Sequence, residues 1–133
     1  MASPSARVLF VEDDAGLATI VTRHLRARGH DARIASSAEE ATEQLESGFR
    51  PDVVLLDVNL PGASGLDLLR GPALRAGGSP RVYLVTATAV PPARLRELDV
   101  AGFLPKPFAM ATLVEIVDRC ASAEEPELPG GLG

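Results

Sequence analysis

Three short runs, Val8–Val11, Val53–Leu56 and Val82–Val85, carry no polar residue on either side of the pleat. A strand with one wet face alternates apolar and polar residues, so runs without alternation are strands covered on both faces. That requirement is met in a parallel sheet with helices packed against each side, and by few other folds.

The intervening segments supply those helices. After Arg7–Val11, the residues Leu17, Ile20, Val21 and Leu25 recur at helical spacing with charges between them, and Gly29 stands where a helix would end. Asp31–Ala35 is a weaker strand pattern. Ser37 with Glu40 forms a capping box that opens a helix through Leu45, stopped by Gly48. The clearest strand, Asp52–Asp57, is bounded by Pro51 and by Asn59-Leu60-Pro61-Gly62. A helix from about Gly65 is interrupted early by Gly71-Pro72, because proline lacks the N–H and its ring clashes with the preceding turn. Arg81–Val85 ends at Thr86, and Pro91-Pro92 starts a short helix to about Leu98. Phe103-Leu104 is a last short strand. Met110, Leu113, Val114, Val117 and Cys120 form the apolar face of a closing helix, which places Cys120 in the core.

Five strands therefore alternate with five helices in a doubly wound α/β domain. Right-handed crossovers leave few strand orders, of which 2-1-3-4-5 is the common one for five parallel strands. The domain is expected over residues 7–121, with a disordered N-terminus over 1–6. Residues 122–133, rich in Glu, Pro and Gly, read as a disordered tail or linker. With 46% hydrophobic residues a chain of 133 can bury a real core. Its net charge of −5, with no basic block, argues against direct nucleic-acid binding. A single cysteine excludes an internal disulfide. The lack of a signal-peptide layout and of a long apolar run argues against membrane insertion and points to the cytoplasm.

Ligands of open α/β sheets bind beyond the carboxyl ends of the strands. Every residue able to do chemistry falls there: Glu12, Asp13 and Asp14 after the first strand, Asp57 at the end of the third, Thr86 after the fourth, Lys106 after the fifth. Each also has an ordinary reading, Asp14 as a helix cap, Asp57 as a turn residue, Thr86 as a strand former and Lys106 as a surface charge. Their convergence is what carries weight. Two carboxylates about 4 Å apart repel by roughly 4 kcal/mol at an effective dielectric near 20, so such a cluster calls for a cation. Oxygen-only donors select Mg²⁺, Ca²⁺ or Mn²⁺, and Mg²⁺ characteristically sits beside a phosphate. A carboxylate flanked by a metal, an ammonium and a hydroxyl is arranged to hold a phosphoryl group, with Asp57 as nucleophile.

At these residues the chain closely resembles the receiver domains of two-component response regulators, a CheY-like superfamily with the flavodoxin-like fold. The motifs are Glu12-Asp13 inside VLFVEDD, Asp57 inside VVLLDVNLPGASGL, Thr86 inside YLVTA and Lys106 inside FLPKPF, and the likeness spans about Arg7 to Ala121. The resemblance implies that Asp57 is phosphorylated by a sensor histidine kinase or phosphotransfer protein, with Mg²⁺ held by Glu12, Asp13, Asp57 and the Asn59 carbonyl. It implies that Lys106 contacts the phosphoryl oxygens, that its bond to Pro107 is cis, and that small Ala87 keeps the site open. Thr86 and Phe103 would form the switch. Such a domain catalyses only its own phosphorylation and dephosphorylation, and hands the signal to a downstream effector that the sequence does not identify. The usual output face, formed by the fourth helix, the fifth strand and the closing helix, leaves open a homodimer. The short Thr86–Lys106 interval and the Gly71-Pro72 break put that face in doubt.

Three other readings compete. A receiver-like interaction module that works without phosphorylation usually lacks one of Asp13, Asp57, Thr86 or Lys106, all present here. An aspartyl phosphatase of another α/β class commonly needs a second acid two residues after the first, where this chain has Asn59. A flavin or dinucleotide carrier needs a glycine- or hydroxyl-rich first loop, and EDDAG has the wrong charge. His24, near the apolar side of the first helix, and His30, in a turn, read as structural or surface residues.

Overall fold

The computed structural model describes residues 4–60 and 65–122. The strands are β1 (Arg7–Val11), β2 (Asp31–Ala35), β3 (Val53–Asp57), β4 (Arg81–Thr86) and β5 (Gly102–Pro105). All pair in parallel in the order β2-β1-β3-β4-β5. The helices are α1 (Ala15–Ala27), α2 (Ala38–Glu46), α3 (Gly65–Arg70), α4 (Ala73–Ala76), α5 (Pro92–Leu98) and α6 (Met110–Ser122).

Alternate residues of the apolar runs feed two cores, one on each face. Val8, Phe10, Val53, Leu55, Val85 and Leu104 pack with Val21 and Leu25 of α1 and Leu113 and Val117 of α6. Leu9, Val11, Val54, Leu56, Val82 and Leu84 pack on the other face with Ala41 of α2, Leu68 of α3 and Leu74 of α4. Burial on both faces is the reason the strands lack polar alternation.

Some details differ from the sequence reading. Among the described residues six helices stand where five were expected, because Gly71-Pro72 divides the third in two and Pro72 heads the four-residue α4. Asp52 lies outside β3, its carboxylate engaged with the Arg7 N–H. Ile20 is 49% exposed, so the inward face of α1 is Ala18, Val21, Thr22 and Leu25. His24 is also exposed, its Nδ1 against the Ile20 carbonyl. Cys120 is half-buried against the core. Ala6, expected in a loose N-terminus, is buried, and its N–H donates to His30 Nδ1 at 3.0 Å. In the capping box, Ser37 accepts from Glu40 N as expected, but the Glu40 carboxylate reaches the Ser36 N–H. Pro61-Gly62 and the tail beyond Ser122 lie outside the described residues.

Candidate functional site

The site is built at the carboxyl ends of β1, β3, β4 and β5. Asp57 closes β3 as a fully buried strand residue, and its Oδ1 accepts from the Asn59 N–H at 2.8 Å. This turn holds the carboxylate by its own backbone, leaving Oδ2 for another donor. Glu12 follows β1, its side chain 1% exposed, tied at Oε2 by the Asp14 N–H at 3.1 Å. Asp14 in turn caps α1 through Leu17 N, the ordinary role its position suggested.

Lys106 comes from the loop after β5 and joins the two acids. Its ammonium donates to Asp57 Oδ2 at 2.9 Å and to Glu12 Oε2 at 3.2 Å. Glu12 Oε1 lies 3.0 Å from the same nitrogen, in charge contact, yet it is buried with no aligned hydrogen bond. Burial pushes the Glu12 carboxyl up, only partly opposed by Lys106 and the Asp14 N–H, and the Asp57 charge adds to the rise. Burial alone would lower Lys106, but its bonds to Asp57 and Glu12 outweigh that and hold it above the usual lysine range. The ammonium is thus fixed in its charged form.

Asp13 is exposed beside this pair. One oxygen each from Glu12, Asp13 and Asp57 lie within 4.8 Å of one another. An all-oxygen donor set with one orphaned buried oxygen can hold a hard divalent cation.

The other expected residues stand close by in a different arrangement. The Thr86 carbonyl accepts from Lys106 N at 2.9 Å, which ties β4 to the lysine loop. Its hydroxyl faces Thr88, accepting from the Thr88 N–H at 3.1 Å and lying 3.2 Å from the Thr88 carbonyl. Ala87 is exposed. Phe103 is half-buried on the face of α2–α5. The Lys106–Pro107 bond is cis. Asn59 is exposed and contributes its N–H to the Asp57 turn.

Two residues passed over in the sequence belong to this neighbourhood. Thr88 holds the Thr86 hydroxyl, and nothing in the sequence marked it. Gly65 opens α3 against Asp57: a Cβ there would lie 2.8 Å from the Asp57 carbonyl oxygen. A glycine opening a helix eight positions after the key acid was the available signal. His30, by contrast, is a core residue: its ring is bonded at Nδ1 by Ala6 N and at Nε2 by Asp118 at 2.8 Å. With Nδ1 accepting, Nε2 carries the hydrogen and donates to the carboxylate.

A sequence model of the response regulator receiver domain matches residues 8–118. The DNA-binding response regulator MtrA of Mycobacterium tuberculosis is 38% identical over 110 residues, covering 81% of this chain and 47% of that protein. The response regulator MprA of Mycobacterium bovis is 33% identical over 126 residues, covering 92% and 54%. The chain thus spans about half the length of these relatives. The structure of the chemotaxis protein CheY4 of Vibrio cholerae superposes with a TM-score of 0.76 at 26% identity, covering 87% of this chain and 98% of that one. Among the described residues, no helix is long and apolar enough to cross a membrane.

Proposed function

This chain belongs to the response regulator receiver domain family, and on that premise we propose that Asp57 accepts a phosphoryl group from the phosphohistidine of a sensor histidine kinase or phosphotransfer protein. The observation that carries the reading is the convergence of Lys106 and two buried carboxylates on one point, with Asp57 Oδ2 bonded to the ammonium at 2.9 Å.

An Asp57 carboxylate oxygen attacks phosphorus; the P–N bond breaks, and its electron pair returns to the imidazole nitrogen. Such transfers are catalysed by positioning and by neutralising the phosphoryl oxygens. The Asn59 N–H orients the nucleophile, and Lys106 supplies a fixed positive charge that can turn from Glu12 to the incoming oxygens. Glu12, Asp13, Asp57 and the Asn59 carbonyl would hold Mg²⁺. When bound, that ion offsets the mutual repulsion of the carboxylates and the charge of the phosphoryl group.

The Thr86 hydroxyl is the switching group in this reading. It leaves Thr88 for a phosphoryl oxygen, and half-buried Phe103 moves into the space behind it, which biases the surface of α5, β5 and α6 between two states. A downstream effector or a second copy would read that surface. We place the protein in the cytoplasm, acting through protein partners and with no direct nucleic-acid contact by this domain. Its only chemistry is its own phosphorylation and the later hydrolysis.

Mass spectrometry after incubation with Mg²⁺ and acetyl phosphate, or with a partner kinase, tests this. One added phosphoryl group that requires Mg²⁺ and is absent in Asp57→Asn is the expected result. No gain from either donor would leave a phosphorylation-independent interaction module as the better reading.

A further inference from the structure

At the other end of the sheet, the amino ends of β1, β3 and β4 border a cleft of about 520 Å³ whose lining includes Arg7, Arg50 and Arg81. Among the described residues its one acid, Asp52, is engaged with the Arg7 N–H at 2.9 Å. Among the described residues Arg28, Arg33, Arg75, Arg94 and Arg119 each have a carboxylate partner, whereas Arg23, Arg26 and Arg96 have none. Arg7, Arg50 and Arg81 are likewise without a carboxylate partner among the described residues, and they are the ones gathered around one cleft. Three guanidiniums against one carboxylate make this a cationic hollow on a chain whose net charge is −5.

The hollow is shaped as well as charged. A Cβ on Gly77 would fall 1.8 Å from an Arg50 guanidinium nitrogen, so the missing side chain is what lets that guanidinium lie against the backbone. Cys120 and Ala121 also line the cleft, so the chain leaves α6 at its rim. Glu124, Glu125 and Glu127 follow within six residues of Ala121. At roughly 3.3–3.6 Å per extended residue, six residues reach about 20 Å from the rim.

We propose that the acidic segment Glu124–Glu127 seats in the cleft between Arg7, Arg50 and Arg81. Guanidiniums accept carboxylates in a bidentate geometry. A segment tethered at the rim meets them at a millimolar-range effective concentration, ahead of most free anions. Seating would set the direction in which the chain leaves the receiver domain. The inference stands apart from the chemistry at Asp57, because the two sites lie at opposite ends of the strands.

The full chain tests it by NMR. The amide shifts of Glu124, Glu125 and Glu127 should move together in Arg50→Ala/Arg81→Ala, and in wild type as salt rises toward about 1 M, where the screening length falls to roughly 3 Å. Inorganic phosphate, followed on the arginine Nε–H resonances, should bind roughly tenfold tighter once Glu124, Glu125 and Glu127 are all changed to Gln, since a tethered competitor has been removed. An unfolding midpoint equal to that of wild type checks that the three changes leave the domain folded. Unchanged glutamate shifts in the arginine variant would overturn the proposal. Equal phosphate affinity with and without the three glutamates would do so too, the cleft then being open to free anions.

Discussion

Lys106 and Asp57 meet at 2.9 Å although the strands that lead to them, β5 and β3, are separated in the sheet by β4. The lysine reaches across the end of β4, where its own N–H is held by the Thr86 carbonyl. Removing the ammonium leaves two nearly buried carboxylates facing each other without a cation. Lys106→Met, which keeps the stem, should therefore lower stability in the absence of divalent ions by on the order of 1–3 kcal/mol. Urea unfolding with and without Mg²⁺ would show this loss, largely recovered by the ion. An unchanged midpoint in metal-free buffer would count against the ion-pair account.

Asp13 should behave in the opposite sense. It is exposed, and like charges at this range repel by about 1 kcal/mol even at the dielectric of water. Asp13→Asn should raise metal-free stability by roughly 0.5–1 kcal/mol while reducing the stabilisation that Mg²⁺ confers. Thermal unfolding across a Mg²⁺ titration separates the two effects. A variant that gains as much from Mg²⁺ as wild type would remove Asp13 from the ligand set.

Gly65 fits because it has no side chain. In Gly65→Ala the new methyl would lie 2.8 Å from the Asp57 carbonyl oxygen and 3.2 Å from Leu56 Cγ, so α3 or the end of β3 must shift. Overpacking of this kind costs about 1–3 kcal/mol. Slower phosphoryl uptake by Asp57, followed by mass spectrometry under conditions where the variant stays folded, is the expected companion effect. Wild-type uptake would mean that the helix moves and the acceptor does not.

Asp118 bonds both His30, whose side chain is 1% exposed, and Arg28, whose side chain is 54% exposed. Asp118→Ala leaves the buried His30 Nε2–H without an acceptor, a loss of about 1–3 kcal/mol, whereas Arg28→Ala should cost below about 1 kcal/mol. Burial pushes the Asp118 carboxyl up, but hydrogen bonds from Arg28 and His30 outweigh it and hold it below the ordinary range. A depressed folded pKa gives stability that is present above the unfolded value near 3.9 and lost as pH falls through the folded value. The gap between wild type and Asp118→Asn in urea unfolding should accordingly be widest at neutral pH and close below about pH 4. A gap independent of pH would show that ionisation of Asp118 plays no part.

Much of the architecture was legible because its signals are local. Doubly buried strands must lack polar alternation, so Val53–Leu56 declared both its class and its two helical layers. Gly71-Pro72 marked a helix break for a reason confined to one proline ring. The acids and the lysine were legible because each follows a strand, and parallel strands all present their carboxyl ends to the same edge.

What the sequence could not supply were relationships between distant segments. Ile20 has the spacing of a core residue, yet which arc of α1 faces inward depends on how the helix settles on the sheet. Nothing local pairs the Thr86 hydroxyl with Thr88, turns His30 into a link between Ala6 and Asp118, or collects Arg7, Arg50 and Arg81 around one cleft. Sequence by itself determined the alternation of strands and helices and the edge where chemistry gathers, since both follow from periodicity and strand direction. Tertiary structure decided which charges are paired, which are buried and which are left without a partner, because those depend on packing between residues as far apart as Glu12 and Lys106.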